Sequence, residues 1–219
     1  VGDVRVPACQ PGPLPGRALG REVFARPATE VARDLVGSIL VRADEGLAAR
    51  IVETEAYTED DPACHGHRGR TEANAALFGP PGTAYVYRSY GIHWLCNVAT
   101  AAAGEADGVL LRAAEPLAGW ELIRTRRGSR VPDRDLLRGP GRLAQAFGLD
   151  GSWNGQDLCG PPPAALHLRG DDQHPERVAG PRVGIARAAD WPRRWHVPGS
   201  RWVSPYQRNP RAREPQGSG

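Results

Sequence analysis

Thr83-Ala84-Tyr85-Val86-Tyr87-Arg88-Ser89-Tyr90-Gly91-Ile92-His93-Trp94-Leu95-Cys96-Asn97-Val98-Ala99-Thr100 is the stretch on which the fold depends. Thr83–Ser89 and His93–Thr100 carry the aromatic and β-branched residues that suit strands. Between them is only a tight turn at Tyr90-Gly91. A helical crossover needs a dozen or more residues, so these two strands pair antiparallel. Working outward, Gly108–Glu115 reads as the next strand, and upstream Ser38–Ala43 and Ala49–Tyr57 flank a turn near Asp44-Glu45-Gly46. Ala165–Arg169, Arg182–Arg187 and Arg194–Val197 read as later strands. Helices are expected at Ala28–Gly37, with Thr29 as N-cap and Gly37 as stop, at Glu72–Phe78, at Gly119–Arg127, and at Pro140–Phe147, where Pro140 suits a first turn. The expectation is α+β: one compact domain built on an antiparallel sheet with short helices.

The 219 residues suffice for one sizeable core. Gly/Pro-rich residues 1–20 and polar residues 205–219 read as flexible tails or surface-hugging arms around a folded domain, 21–204. No run approaches the ~18 apolar residues of a membrane helix, and the start lacks a secretory pattern, so a cytoplasmic protein is expected. Cys9, Cys64, Cys96 and Cys159 form no CxxC pair, which suits reduced thiols. A net charge of +3 permits nucleic-acid binding without indicating it. All 28 basic residues are arginine. Codon bias accounts for that, but its chemical consequence stands: Schiff-base lysines, Walker lysines and Ser-Lys pairs are excluded.

Ile51-Val52-Glu53-Thr54-Glu55-Ala56-Tyr57 carries the most chemistry. Alternation places Glu53, Glu55 and Tyr57 on one strand face beside Ile51. Either they line a cavity or the strand is a solvated edge with surface ion pairs. Cys64-His65-Gly66-His67 invites a zinc reading, yet no second ligand pair at finger spacing follows, and no metal is expected. Tyr85 and Tyr87 share a face, while Tyr90 sits at the turn, placed as a wedge or as an ordinary surface tyrosine. Asn97 and Arg112 interrupt apolar strands and need partners. Arg112 either pairs with Glu115 or Glu55, or holds a phosphate bidentately.

The ordered runs ETEAY (53–57), PGTAYVYRSYGIHWLCNV (81–98), GVLLRAAEPLAG (108–119), RGPGRLAQAFGL (138–149), PRVGIA (181–186) and RWVS (201–204) resemble the alkyladenine (3-methyladenine) DNA glycosylase family. The resemblance spans about Ala25 to Ser204. It implies a curved antiparallel sheet without a helix-hairpin-helix. It implies excision of alkylated or deaminated purines from duplex DNA, with no cofactor, by a monomer localised by its substrate. It places the general base at Glu55 and an arginine near the attacking water and target phosphate at Arg112. The base pocket falls on Tyr57, His65, Tyr87 and Asn97, with His65 a candidate proton donor, and the intercalating wedge on Tyr90. Competing readings are a catalytically silent nucleic-acid binder and an N-glycosidase acting on free nucleosides. Without lysine, the usual amine for strand cutting is missing, so an abasic site is the expected product.

Overall fold

The computed structural model describes residues 14–160, 164–171 and 174–212. The hairpin is β3 (Ala84–Ser89) with β4 (His93–Thr100), in register from Ala84↔Val98 to Ser89↔His93. Next to β4 lies β5 (Asp107–Ala118), then β2 (Leu47–Tyr57), β1 (Ile39–Arg42) and β6 (Leu166–Arg169). Short β7 (Val178–Gly180) and β8 (Arg194–His196) complete an eight-stranded sheet that curls into a half-barrel, antiparallel at every pairing. Among the described residues there are four α-helices, α1 (Arg21–Phe24), α2 (Ala28–Leu35), α3 (Trp120–Arg127) and α4 (Pro140–Ala146). Their apolar stripes, including Val31, Leu35, Ile123 and Leu143, join Leu40, Ile51, Val98 and Leu111 in the main core.

A pair of bulges decides where the chemistry points. Val52 and Glu53 together oppose Ala113, because the pairing steps from Ile51↔Ala114 to Glu53↔Ala113. The pairing then steps to Thr54↔Leu111, which makes Arg112 the extra residue on β5. A bulge re-aims side chains and breaks the two-residue period. Ile51 therefore belongs to the main core, and Thr54 donates to Ala32 O of α2 at 2.7 Å, while Glu53 and Glu55 face the other way. Glu53 and Glu55 share a face as expected, but Ile51 is not beside them. The bulge also splits the neighbours of β2, which pairs with β1 over residues 47–50 and with β8 over 53–55. The edge-strand alternative thus fails: β2 is interior, and both carboxylates have 0% exposure.

Other expectations need correction. Arg182–Arg187 is a loop, because Arg182 is turned inward onto Asp61, the Val183 N–H goes to Glu55 rather than to a strand, and Gly184 is left-handed (φ 74°). Thr29 is not the cap of α2. Pro27 precedes the helix, and the Ala28 N–H meets Asp107 Oδ2 at 3.4 Å instead. The helix expected at Glu72–Phe78 contracts to one 3₁₀ turn, Ala75–Phe78. Of the N-terminal arm, residues 1–13 lie outside the described residues. Residues 17–19 run along β6, with Leu19 N donating to Leu168 O at 2.8 Å and Gly170 N to Arg17 O at 2.9 Å, which covers a sheet edge. Of the C-terminal segment, 213–219 lie outside the described residues, and 205–212 pack beside Gly184. Cys64, Cys96 and Cys159 are free thiols, and Cys9 lies outside the described residues.

Candidate active site

Alternation on β3 brings Tyr85 and Tyr87 to one face, where their rings stack at 5.3 Å and 23°. His65 stands edge-on to Tyr87 at 4.4 Å, with Nδ1 2.9 Å from the Tyr85 hydroxyl. Its loop is fixed from behind. Asn74 Nδ2 donates to His65 O at 2.9 Å, and Cys64 Sγ donates to Ala106 O at 3.2 Å. Gly66 is required there, since a Cβ would lie 2.0 Å from the Ala106 Cβ. Burial lowers the pKa of His65, so its ring is neutral at neutral pH. Burial, reinforced by the nearby Glu55 charge, pushes the Tyr87 phenol up to about 12. Cys64, His65 and His67 serve three different partners: Ala106 O, the Tyr85 hydroxyl and Glu59 O. Among the described residues no three metal-ligating side chains converge.

The floor is a buried charge network. Arg112 donates from Nε to Glu53 Oε1 at 3.0 Å and from Nη1 to Glu55 Oε2 at 3.2 Å. Glu115 is not its partner: the Arg112 guanidinium is taken up by Glu53, Glu55 and Ser204 Oγ. Glu53 also accepts from Arg194 Nε at 2.7 Å and from Ser204 N and Oγ, each at 2.8 Å. Burial alone would raise the Glu53 carboxyl, but the Arg112 and Arg194 charges and the Ser204 bonds outweigh it and hold it below its ordinary range. Glu55 has a different set of donors: the Tyr57 hydroxyl on Oε2 at 2.8 Å and Val183 N on Oε1 at 2.7 Å. Burial, then the Glu55 charge, raises the Tyr57 phenol well above its usual value, so Tyr57 is the donor in that bond. Arg182 lies over the Tyr57 ring, 4.6 Å from its centroid, with its charge met by Asp61.

Above this floor is a cavity of about 730 Å³ lined by Tyr57, His65, Tyr87, Asn97 and Arg112 among others. Glu55 lies directly beneath, bonded to the lining residues Tyr57, Arg112 and Val183. Asn97 anchors its amide by donating to Tyr85 O at 3.1 Å. Tyr90 stands at the rim, 91% exposed, with φ 50° followed by Gly91 at 69°. Ile92 N closes the turn on Ser89 O at 3.0 Å. A left-handed tyrosine costs about 1–2 kcal/mol, so the turn holds this ring out against strain and against hydrophobic burial. Every site residue picked out from the sequence falls on this cavity or touches its floor. The functions of Val183, Arg194 and Ser204 as partners of the carboxylates were not legible. PRVGIA contained Val183, RWVS contained Ser204 and the strand expected at Arg194–Val197 contained Arg194, but nothing in a linear order couples them to Glu53 and Glu55.

The aromatic cavity over a carboxylate–guanidinium floor suits a planar ring held beside an acid–base group, and comparison with known proteins identifies the class. The family described as Methylpurine-DNA glycosylase (MPG) matches residues 22–201, and the chain belongs to that family. It is therefore a DNA glycosylase, a hydrolase of glycosyl bonds that acts in base excision repair. A protein of Rhodopseudomonas palustris (strain HaA2) with the curated name "Putative 3-methyladenine DNA glycosylase" is 51% identical over 201 residues, covering 91% of this chain and 96% of its own. Proteins of the same curated name are 50% identical in Burkholderia cenocepacia (strain HI2424), covering 88% and 93%, and 43% identical in Carboxydothermus hydrogenoformans, covering 85% and 98%. Among the described residues no helix is long and apolar enough to cross a membrane.

Proposed function

We propose that this protein flips a damaged purine of the 3-methyladenine, 7-methylguanine, hypoxanthine and ethenoadenine class out of duplex DNA and hydrolyses its N-glycosidic bond, leaving an abasic site. The observation that carries the reading is the aromatic cavity set on Glu55 and Arg112. Flipping costs a few kcal/mol, least at a damaged pair. Stacking on Tyr57 and Tyr87 offsets about 1–3 kcal/mol of it per aromatic contact, and cationic methylpurines gain a further ~0.5–2 kcal/mol from the tyrosine faces. Asn97 screens out normal guanine. Tyr90 fills the gap in the stack. A water oxygen bonds to C1′ as the C1′–N bond breaks. The bond's electron pair leaves with the base, and the water proton passes to Glu55. Glu55 also faces the oxocarbenium-like sugar, while Arg112 holds its carboxyl group and orients the nearby phosphate. The water takes the remaining lone pair of Glu55 Oε1, which accepts from Val183 N. A neutral His65 contributes hydrogen bonding to the base rather than a full positive charge. The reading requires no second chain, so we take the protein to act as a monomer, in the cytoplasm where bacterial DNA lies.

A panel of duplexes, each with one lesion, tests this beside the matching free nucleosides. The expected result is release of the damaged base from duplexes only, an intact strand carrying an abasic site, and no protein–DNA adduct after borohydride. The 219 residues contain no lysine to form the imine that borohydride would trap. Release from nucleosides alone, or a trapped adduct, overturns the reading. Tyr90→Ser is expected to weaken binding to a damaged duplex about tenfold, corresponding to loss of 1–3 kcal/mol of stacking, and to weaken binding to a duplex with the target nucleotide absent far less. Equal losses on the two DNAs would remove Tyr90 from the wedge role.

A further inference from the structure

The chain after Arg201 lies beyond the family match, yet it supplies two groups to the cavity wall, Asn209 and Arg211. Its backbone is tied to the loop that follows Arg182. Gly184 N donates to Gln207 O at 2.9 Å, and Asn209 Nδ2 donates to Gly184 O at 2.7 Å. Asn209 Oδ1 in turn accepts from Arg211 N at 2.8 Å, an Asx turn that sets the direction of Arg211. Both backbone groups of Gly184 are thus held by this one segment. Glycine in the left-handed region has little preference of its own for one conformation, so the loop takes its geometry from what grips it. The residue just before is Val183, whose N–H is the only donor on Glu55 Oε1 among the described residues. Arg112, Arg182, Arg193 and Arg194 around the floor are all paired with carboxylates. Arg211 is exposed at the cavity mouth and makes no ion pair among the described residues.

We propose that residues 205–212 form a strap that completes the site. Asn209 is a positioning residue that fixes the Val183–Gly184 peptide against Glu55, and Arg211 holds a phosphate of the DNA at the mouth. The inference rests on Glu55 acting as the base, as proposed above. It makes the site depend on a segment outside the residues that define the family.

Single-turnover release from a 7-methylguanine duplex, and binding to a duplex with a tetrahydrofuran abasic site, test both residues in the full chain. Asn209→Asp keeps the acceptor for Arg211 N and loses the donor to Gly184 but adds a negative charge, so Asn209→Ala, which loses the donor without adding charge, is measured beside it. Both are expected to slow release about tenfold with the thermal midpoint within about 2 °C of wild type, and Asn209→Ala to keep abasic-duplex affinity within about twofold. Arg211→Ala is expected to lower the slope of log affinity against log salt by about 0.9, or about fivefold in affinity at 0.15 M salt, and Arg211→Lys to restore it. Wild-type release by Asn209→Asp, or a rate that falls only in step with the thermal midpoint, overturns the positioning role. An unchanged salt slope in Arg211→Ala overturns the phosphate contact. If wild type released no base from any lesion duplex, the function proposed above would fail instead, and the salt slope would still decide Arg211.

Discussion

Glu55→Gln is expected to reduce single-turnover base release by at least about 10³-fold while damaged-duplex binding survives. General-base catalysis contributes about 10²–10⁴-fold, and loss of a carboxylate facing the oxocarbenium-like sugar adds to it. Glutamine has the same shape and leaves the aromatic wall of Tyr57, His65 and Tyr87 in place, so the base should still be held. It cannot accept the water proton. Nor can it satisfy all its neighbours, because Val183 N–H lies on one oxygen and Arg112 and the Tyr57 hydroxyl on the other, all as donors. Whichever end carries the amide nitrogen meets at least one of these donors, at a cost of about 1–3 kcal/mol. The measurement therefore couples release kinetics to a melting curve and to fluorescence anisotropy on the same lesion. A folded variant that binds and still excises within about tenfold of wild type would move the base to another residue.

The division of labour between the two carboxylates explains how far the sequence could be read. A hairpin with so short a turn allows only antiparallel pairing, so the sheet and the face shared by Tyr85 and Tyr87 followed directly from local chemistry. The bulges at Val52–Glu53 and Arg112 did not, because a bulge is a single break in a period and is set by the partner strand. Without the bulges, Ile51 would share the face of Glu55, and Arg112 could not meet both glutamates. The motif ETEAY also shows two equivalent acids. What separates them is supplied from Arg194 and Ser204, 141 and 151 positions away from Glu53, and by Val183, 128 away from Glu55. The same long-range demands undo the strand expected at Arg182–Arg187. Its alternating pattern is strand-like, but Arg182 and the Val183 N–H are committed to Asp61 and Glu55 rather than to a neighbouring ladder. Residue types and their gathering at one cavity were legible, whereas the partners that fix their roles were not.

Glu53 should behave as the structural member of the pair, with the largest effect on stability. Glu53→Ala leaves Arg112 and Arg194 buried without their shared carboxylate and removes the acceptor for Ser204. Breaking a buried pair by removing one partner costs about 3–5 kcal/mol, a large part of the ~5–15 kcal/mol that holds a domain of this kind together. Glu53→Gln separates charge from shape. Burial raises this carboxyl, but two guanidinium groups and Ser204 outweigh it, so its folded pKa lies below the unfolded value of about 4.3. A depressed carboxyl contributes stability that is fully present above the unfolded pKa and is lost as pH falls through the folded one. The stability gap between wild type and Glu53→Gln, read by urea denaturation, should therefore be widest near pH 7, begin to narrow below the unfolded value of about 4.3, where the unfolded chain takes up the proton first, and be lost as pH falls through the lower folded value. A gap of the same size at both pH values would mean that hydrogen-bond shape alone, and not the charge shared between Arg112 and Arg194, is what Glu53 supplies. Excision should follow the same division. If Glu53 acts only by holding Arg112, base release by folded Glu53→Gln should fall far less than in Glu55→Gln, since the group that accepts the water proton is still present.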